Sequence, residues 1–182
     1  MKVSTTELPG VLVLEPVVHA DNRGYFFELH NQRDFARSTG IRASFVQDNY
    51  SRSIRGVLRG LHYQTVEPQG KLVYVVVGEI YDVVVDLRRA SPTFGQWLAT
   101  TLNDADRRAL WIPPMFAHGF LAMSPHADVM YKTTTHRHAE SEQCIAWNDK
   151  FLDITWPLAG EVELSPRDRA GIPFLAAPMF DE

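Results

Sequence analysis

The stretch GVLRGLHYQ, residues 56–64, carries Arg59 and His62 among Val57, Leu58 and Leu61. An imidazole with an unperturbed pKa of about 6.5 can take or give a proton near neutrality. A guanidinium presents a planar fork of charged donors that suits a diphosphate. Burying such groups unpaired costs roughly a few kcal/mol each, so the segment either lies at the surface or lines a polar cavity. Strict alternation along a strand would put Arg59 and His62 on opposite faces. Gly60 between them is a place for a bulge that re-aims one of the two. Taken alone, His62 also fits a half-buried histidine bonded to a backbone carbonyl.

The elements that must hold these residues are mostly strands. Segments rich in β-branched and aromatic residues, bounded by Gly, Pro, Asn and Asp, run over 11–18, 24–30, 43–50, 57–64, 71–77, 79–88, 96–102, 109–112, 118–123, 129–135 and 143–147. Gly78 alone separates two of them, which predicts a tight hairpin there. In 79–88, Tyr81, Val83, Val85 and Leu87 alternate with Asp82 and Asp86. That pattern predicts one packed face and one facing water or a polar lumen. Helix signals are few. NQRDFARSTG (31–40) reads as a helix ending at Gly40, and SPRDRA (165–170) as a short one with Ser165 as N-cap and Pro166 in first position. Many short strands with few helices predict a mainly β jelly-roll sandwich or barrel, whose interior can hold a ligand.

The totals agree with a globular enzyme or binding protein. The 182 residues fit one domain, 1–182, and 45% apolar with 22% charged residues is an ordinary globular balance. Net charge is −4 with no Lys/Arg block, which argues against a nucleic-acid surface and leaves room for an anionic small ligand. Cys144 is the only cysteine, so no internal disulfide forms and a reducing cytoplasm is the expected compartment. The opening MKVSTTELPG lacks the apolar core of a signal peptide, and VYVVV is too short to cross a bilayer.

Ten stretches then occur in order: DNRGYFFE (21–28), FVQDN (45–49), GVLRGLHYQ (56–64), QGKLVYVVVGEIYDVVVDLR (69–88), SPTFGQW (91–97), LWIPPMFAHGF (110–120), YKTT (131–134), WND (147–149), WP (156–157) and LSPRD (164–168). Together they closely resemble the dTDP-4-dehydrorhamnose 3,5-epimerase family over nearly the whole chain. The resemblance implies a cupin-type jelly roll, usually a homodimer, and a reaction without a cofactor. It implies His62 as a base, Asp168 as its partner, Tyr131 as an acid on the opposite face of the sugar, and Lys71 as the cation near the developing oxyanion. Read singly, Asp168 also fits a capping box with Ser165, Tyr131 an ordinary strand aromatic, and Lys71 a solvated charge.

The same resemblance implies that a nucleotide diphosphate sugar is held by Arg23, Phe26, Glu28, Gln47, Asp48, Asn49, Arg59, Asp82, His118, Arg137, Glu142 and Arg167. Arg23, Phe26 and Glu28 are expected to reach the neighbouring subunit's pocket. No nucleic-acid or membrane partner is implied. Metal-binding cupins use an H-x-H pair, whereas this chain reads His62-Tyr63-Gln64. His136-Arg137-His138 has the spacing for two ligands on one strand face but lies elsewhere in the chain, so no metal is assigned. Arg137 falls where the family places a tyrosine that stacks on the base, which leaves open another nucleotide, such as GDP; the motif order separately leaves open inversion at one carbon only. A metal-dependent cupin oxygenase and a non-catalytic sugar-binding protein are the remaining readings.

Overall fold

The computed structural model describes residues 1–181. In chain order the elements are β1 (Lys2–Thr5), β2 (Leu12–Glu15), β3 (His19–Asp21), β4 (Gly24–Phe26), α1 (Gln32–Thr39), β5 (Gln47–Ile54), β6 (Leu58–Gln64), β7 (Lys71–Val77), β8 (Glu79–Asp86), β9 (Trp97–Asn103), β10 (Ala109–Ile112), β11 (Phe116–Ala122), β12 (His126–Thr133), β13 (Glu142–Cys144) and α2 (Pro166–Arg169). Two sheets form the body, one ordered β1-β2-β10-β7-β12-β5 and the other β13-β6-β11-β8-β9. β3 and β4 make a separate exposed hairpin. The architecture is the expected jelly roll of two antiparallel sheets.

Alternation sends each strand's side chains to two destinations. Val73, Val75 and Val129 from the six-stranded sheet meet Ile80, Val84, Phe116 and Phe120 from the five-stranded one in a core between the sheets. On the outer side of the five-stranded sheet, Leu58, Leu61, Val83 and Val85 are covered by Leu152, Trp156 and Phe174 from the C-terminal segments. On the outer side of the six-stranded sheet, Leu72, Tyr74 and Trp111 are covered by Phe35 of α1. The α1 boundaries follow from its caps: Asn31 Oδ1 accepts from the Arg33 and Asp34 amides, and Gly40 ends the helix at φ 74°. Among the described residues, no helix is long and apolar enough to cross a membrane.

Four expectations need correction. Gly78 makes a tight turn at φ 81° but no hairpin, because β7 and β8 belong to different sheets and the chain turns a corner there. β8 follows the polar-lumen form of its pattern and is not among them: the C-terminal segments cover its Val83 and Val85 side, while Asp82 faces the space between the sheets and bonds His118. The strand predicted over 43–50 begins at Gln47 and continues to Ile54, and the one over 129–135 shifts to His126–Thr133. The strand predicted over 11–18 ends at Glu15, before Pro16, whose ring removes a ladder donor.

Candidate active site

β6 and β11 pair so that His62 faces His118 and Arg59 faces Phe120, with a register shift between the two pairs. Three steps along β6 thus span two along β11, the count of a bulge. The extra residue cancels the alternation problem: Leu58, Leu61 and Tyr63 go to the outer core, while Arg59 and His62 both line the space between the sheets. The bulge packs on a glycine contact. A Cβ at Gly60 would lie 2.5 Å from Gly119 Cα and 2.8 Å from the His118 carbonyl oxygen, and one at Gly119 would lie 2.6 Å from the Arg59 oxygen. Gly60 also sits at φ 125°, a conformation that favours glycine.

The opposing sheet supplies the other wall. Tyr131 on β12 pairs with Asn49 of β5 on one side and Val73 of β7 on the other. Thr133 pairs with Gln47 and Lys71 in the next row of the same face. A cavity of about 230 Å³ results, bounded by Arg59, His62 and His118 from one sheet, Lys71 and Tyr131 from the other, and Arg167 of α2.

His62 Nε2 lies 2.6 Å from Asp168 Oδ1. The two atoms are in close contact without an aligned N–H bond, since the Nε2 direction meets no acceptor squarely. Asp168 is fixed from three sides. Its Oδ1 accepts from the Gly60 amide at 3.1 Å, its Oδ2 from Ser165 Oγ at 2.6 Å, and its own amide donates to Ser165 Oγ. Ser165 therefore caps α2 and orients Asp168 at once. Burial opposes the charge on Asp168, but His62, Ser165 and Gly60 together outweigh it and hold the carboxyl at about 2.

Lys71 is 7% exposed and donates to the His62 carbonyl oxygen at 3.1 Å. Burial lowers its pKa to about 8, against the opposing charges of Asp82 and Glu142. Burial also raises the Tyr131 phenol, as does the Glu142 charge, while Arg59 and Arg137 pull the other way. His118 Nε2 lies 2.8 Å from Oδ2 of the fully buried Asp82. At the cavity rim, Glu142 takes both Arg137 and Arg167 on its Oε2. Those contacts keep its carboxylate below the usual range although burial pushes the other way. Arg59 is braced by Ser53 Oγ at 3.0 Å and the Arg52 carbonyl.

Comparison with known proteins decides the family. The family model for dTDP-4-dehydrorhamnose 3,5-epimerase matches residues 5–176. The chain belongs to this family. It is 52% identical over 180 residues to a dTDP-4-dehydrorhamnose 3,5-epimerase of Pseudomonas aeruginosa, covering 99% of each chain. It is 48% identical over 183 residues to the enzyme of that name from Salmonella typhimurium, covering 100% of this chain and 97% of the other. A solved dTDP-6-deoxy-D-glucose-3,5-epimerase of Legionella pneumophila, in complex with dTDP-4-keto-L-rhamnose, superposes with a TM-score of 0.97 at 43% identity, covering 100% of this chain and 98% of that one.

The epimerase fold brings together most of the residues singled out from sequence. His62, Lys71, Tyr131, Arg59, His118, Glu142 and Arg167 share the cavity, and Asp168 lies behind His62. Gln47 accepts from the Arg137 amide and donates to Asn49, so these three form the adjoining rim. Asp48 lies away from this cavity. Alternation on β5 turns it to the opposite face from Gln47 and Asn49, where it pairs with Lys132 at 2.7 Å. Asp82 reaches the site only through His118. Arg23 and Phe26 project from the β3–β4 hairpin, outside this chain's cavity, and Arg23 pairs with Asp21. Glu28 lines a different cavity of about 270 Å³ on the outer face of the six-stranded sheet, beside α1. His136-Arg137-His138 is a loop after β12 rather than a strand face, held by Gln64 through the His136 carbonyl and the His138 amide.

Ser51 and Gln69 also line the cavity, and the sequence reading does not name them. Ser51 follows Gln47 and Asn49 at intervals of two on β5, a signal that was there to be read. Gln69 is a loop residue and carries no such signal. Cys144 faces His62 directly across the β13–β6 pair, and its sulfur lies 3.9 Å from Asp168 Oδ1.

Proposed function

We propose that this chain epimerises dTDP-4-dehydro-6-deoxyglucose at C3 and C5 to dTDP-4-dehydrorhamnose, without a cofactor. The observation supporting this reading is the placement of the His62–Asp168 pair and Tyr131 on opposing sheets of one cavity, with the Lys71 ammonium bonded beside His62. A hydrogen next to a ketone is acidic because the resulting carbanion delocalises onto the ketone oxygen. Epimerisation then needs a base on one face of the ring, a proton donor on the other, and a positive group for the enolate.

With Nε2 turned to Asp168, Nδ1 of His62 is the nitrogen that takes the C3 proton, releases it to solvent, and then takes the C5 proton. Asp168, ionised throughout, stabilises the imidazolium that forms. Lys71 supports the enolate oxygen, and His118, steadied by Asp82, adds a second polar group on the same side. Tyr131, kept protonated by burial, returns a proton to the opposite face and is reprotonated from solvent before the second carbon inverts. Arg59, Arg167 and Arg137 supply charged donors for the diphosphate and the nucleoside end. We assign the working form as a cytoplasmic homodimer, in which Arg23, Phe26 and Glu28 extend to the partner's cavity. Their exposure on or beside a projecting hairpin supports that role.

NMR of product formed in D₂O tests the reading, with a panel of dTDP-, GDP- and UDP-linked 4-keto sugars. Deuterium at both C3 and C5 of the dTDP sugar is the expected result. Label at one carbon only, or exchange confined to another nucleotide, points to the narrower second reading. That reading draws on Arg137, which sets a guanidinium rather than an aromatic ring at the rim.

A further inference from the structure

His62, Cys144 and Asp168 present a nitrogen, a sulfur and a carboxylate oxygen that all lie within 4.8 Å of one another. Cross-strand pairing enforces this: Cys144 is the direct neighbour of His62 on β13, so both side chains leave the sheet on the same face. Asp168 enters from α2, with its Oδ1 2.6 Å from His62 Nε2 and 3.9 Å from Cys144 Sγ. His62 Nε2 is buried and unaligned with any acceptor. Ligands on a tetrahedral zinc ion at about 2.0–2.3 Å stand roughly 3.3–3.8 Å apart. The observed separations bracket that range, so an ion fits after small side-chain shifts. One nitrogen, one thiolate and one carboxylate form a set that zinc accepts, with a water molecule able to complete a tetrahedral shell.

We propose that this triad is an inhibitory zinc site, at which Zn²⁺ binds through His62 Nε2, Cys144 Sγ and Asp168 and switches the enzyme off. The ion replaces the thiol proton, which passes to solvent, and adds one bond each to a neutral imidazole and an ionised carboxylate. Its effect on catalysis rests on the role given above to His62. With zinc on Nε2, the neutral ring carries its only proton on Nδ1 and can no longer accept one from a sugar carbon. Asp168 is withdrawn from the imidazole at the same time. Cys144 has no part in the proposed epimerisation, which separates zinc sensitivity from activity.

Binding and activity are read separately on the full chain. Equilibrium dialysis against Zn²⁺ should give one ion per chain. Co²⁺ in its place should show a thiolate charge-transfer band in the near ultraviolet. Deuterium wash-in should fall as zinc is added and return with EDTA. Cys144→Ser and Cys144→Ala should keep the zinc-free exchange rate, lose the cobalt band, and need at least about tenfold more zinc for half inhibition. Even outer partners of a zinc ligand are commonly worth 10–100-fold in affinity. No stoichiometric zinc in the wild type, or wild-type zinc sensitivity in both Cys144 variants, would overturn the proposal. Zinc bound with the cobalt band present but exchange unaffected would overturn the inhibitory role, and loss of exchange in His62→Ala would show that the assignment of the base survives it.

Discussion

His62 and His118 face each other across the β6–β11 pair, and the bulge beside them turns Arg59 to the same side. That geometry depends on the near contact of Gly60 with Gly119. Gly60→Ala would place a methyl group 2.5 Å from Gly119 Cα, against backbone that has nowhere to move. Overpacking of this kind costs about 1–3 kcal/mol, and the positive φ adds to it. Urea denaturation should show that loss, and exchange should fall with it because Arg59 and His62 lose their common face. A Gly60→Ala protein of wild-type stability and activity would mean that the bulge is not what aims these residues.

His62→Ala should cut solvent exchange by roughly 10²–10⁴-fold, the range for removing a general base. Asp168→Asn should also reduce turnover with little change in KM, since Asp168 touches His62 rather than the cavity. It should alter acid stability as well. The Asp168 carboxyl is held at about 2 against a free value of 3.8, so its contribution is complete above the free value and fades as pH falls toward about 2. The variant's stability should therefore change less across that window than the wild type's.

The elements were legible where local chemistry alone determines them. Asn31, Gly40, Ser165 and Pro166 marked both helices, and Lys71–Val77 and Ala109–Ile112 fall where their β-branched and aromatic residues predict strands. What escaped depends on partners far along the chain. The corner at Gly78 was read as a hairpin because sequence does not show to which sheet a strand belongs. On β8 the pattern marked Val83 and Val85 as the packed face, but what packs on them, Leu152, Trp156 and Phe174, arrives from the C-terminal segments and left no local signal. At the site, the motifs pointed to Arg59, His62, Lys71, His118, Tyr131, Glu142 and Arg167, which the fold gathers round one cavity, while Asp48, beside Gln47 and Asn49 in FVQDN, lies away from it. Alternation on β5 separates it from them.

Lys71 sets an upper pH limit. Burial brings its pKa to about 8, so the ammonium to which we assign the enolate should be lost as pH rises through that value. The rate should decline above pH 8 by up to about tenfold per unit. Lys71→Arg, whose guanidinium stays charged, should remove the decline even if the rate below it is lower. Stability should move the other way. The folded value lies below the free 10.5, so between about 8 and 10.5 the unfolded chain holds more protons and folding grows more favourable as pH rises. Calorimetry over that interval and the pH–rate profile check the two signs independently.

Arg137 is the residue on which base selection should turn. Its guanidinium leans on Glu142, which also holds Arg167, and its amide is fixed by Gln47. It contacts neither His62 nor Asp168, so removing it should weaken binding without slowing chemistry. One charged hydrogen bond is worth about 1.5–3 kcal/mol, so Arg137→Ala should raise KM roughly ten- to hundredfold while kcat stays near wild type. Glu142 keeps Arg167, so the rim should remain folded. Arg137→Tyr substitutes a flat ring for a flat cation: it should recover affinity for the dTDP sugar by stacking and lose any preference that rests on charged donation to a purine. Steady-state kinetics with dTDP-, UDP- and GDP-linked substrates read this directly. A fall in kcat with KM unchanged would move Arg137 from the binding rim into the reacting centre.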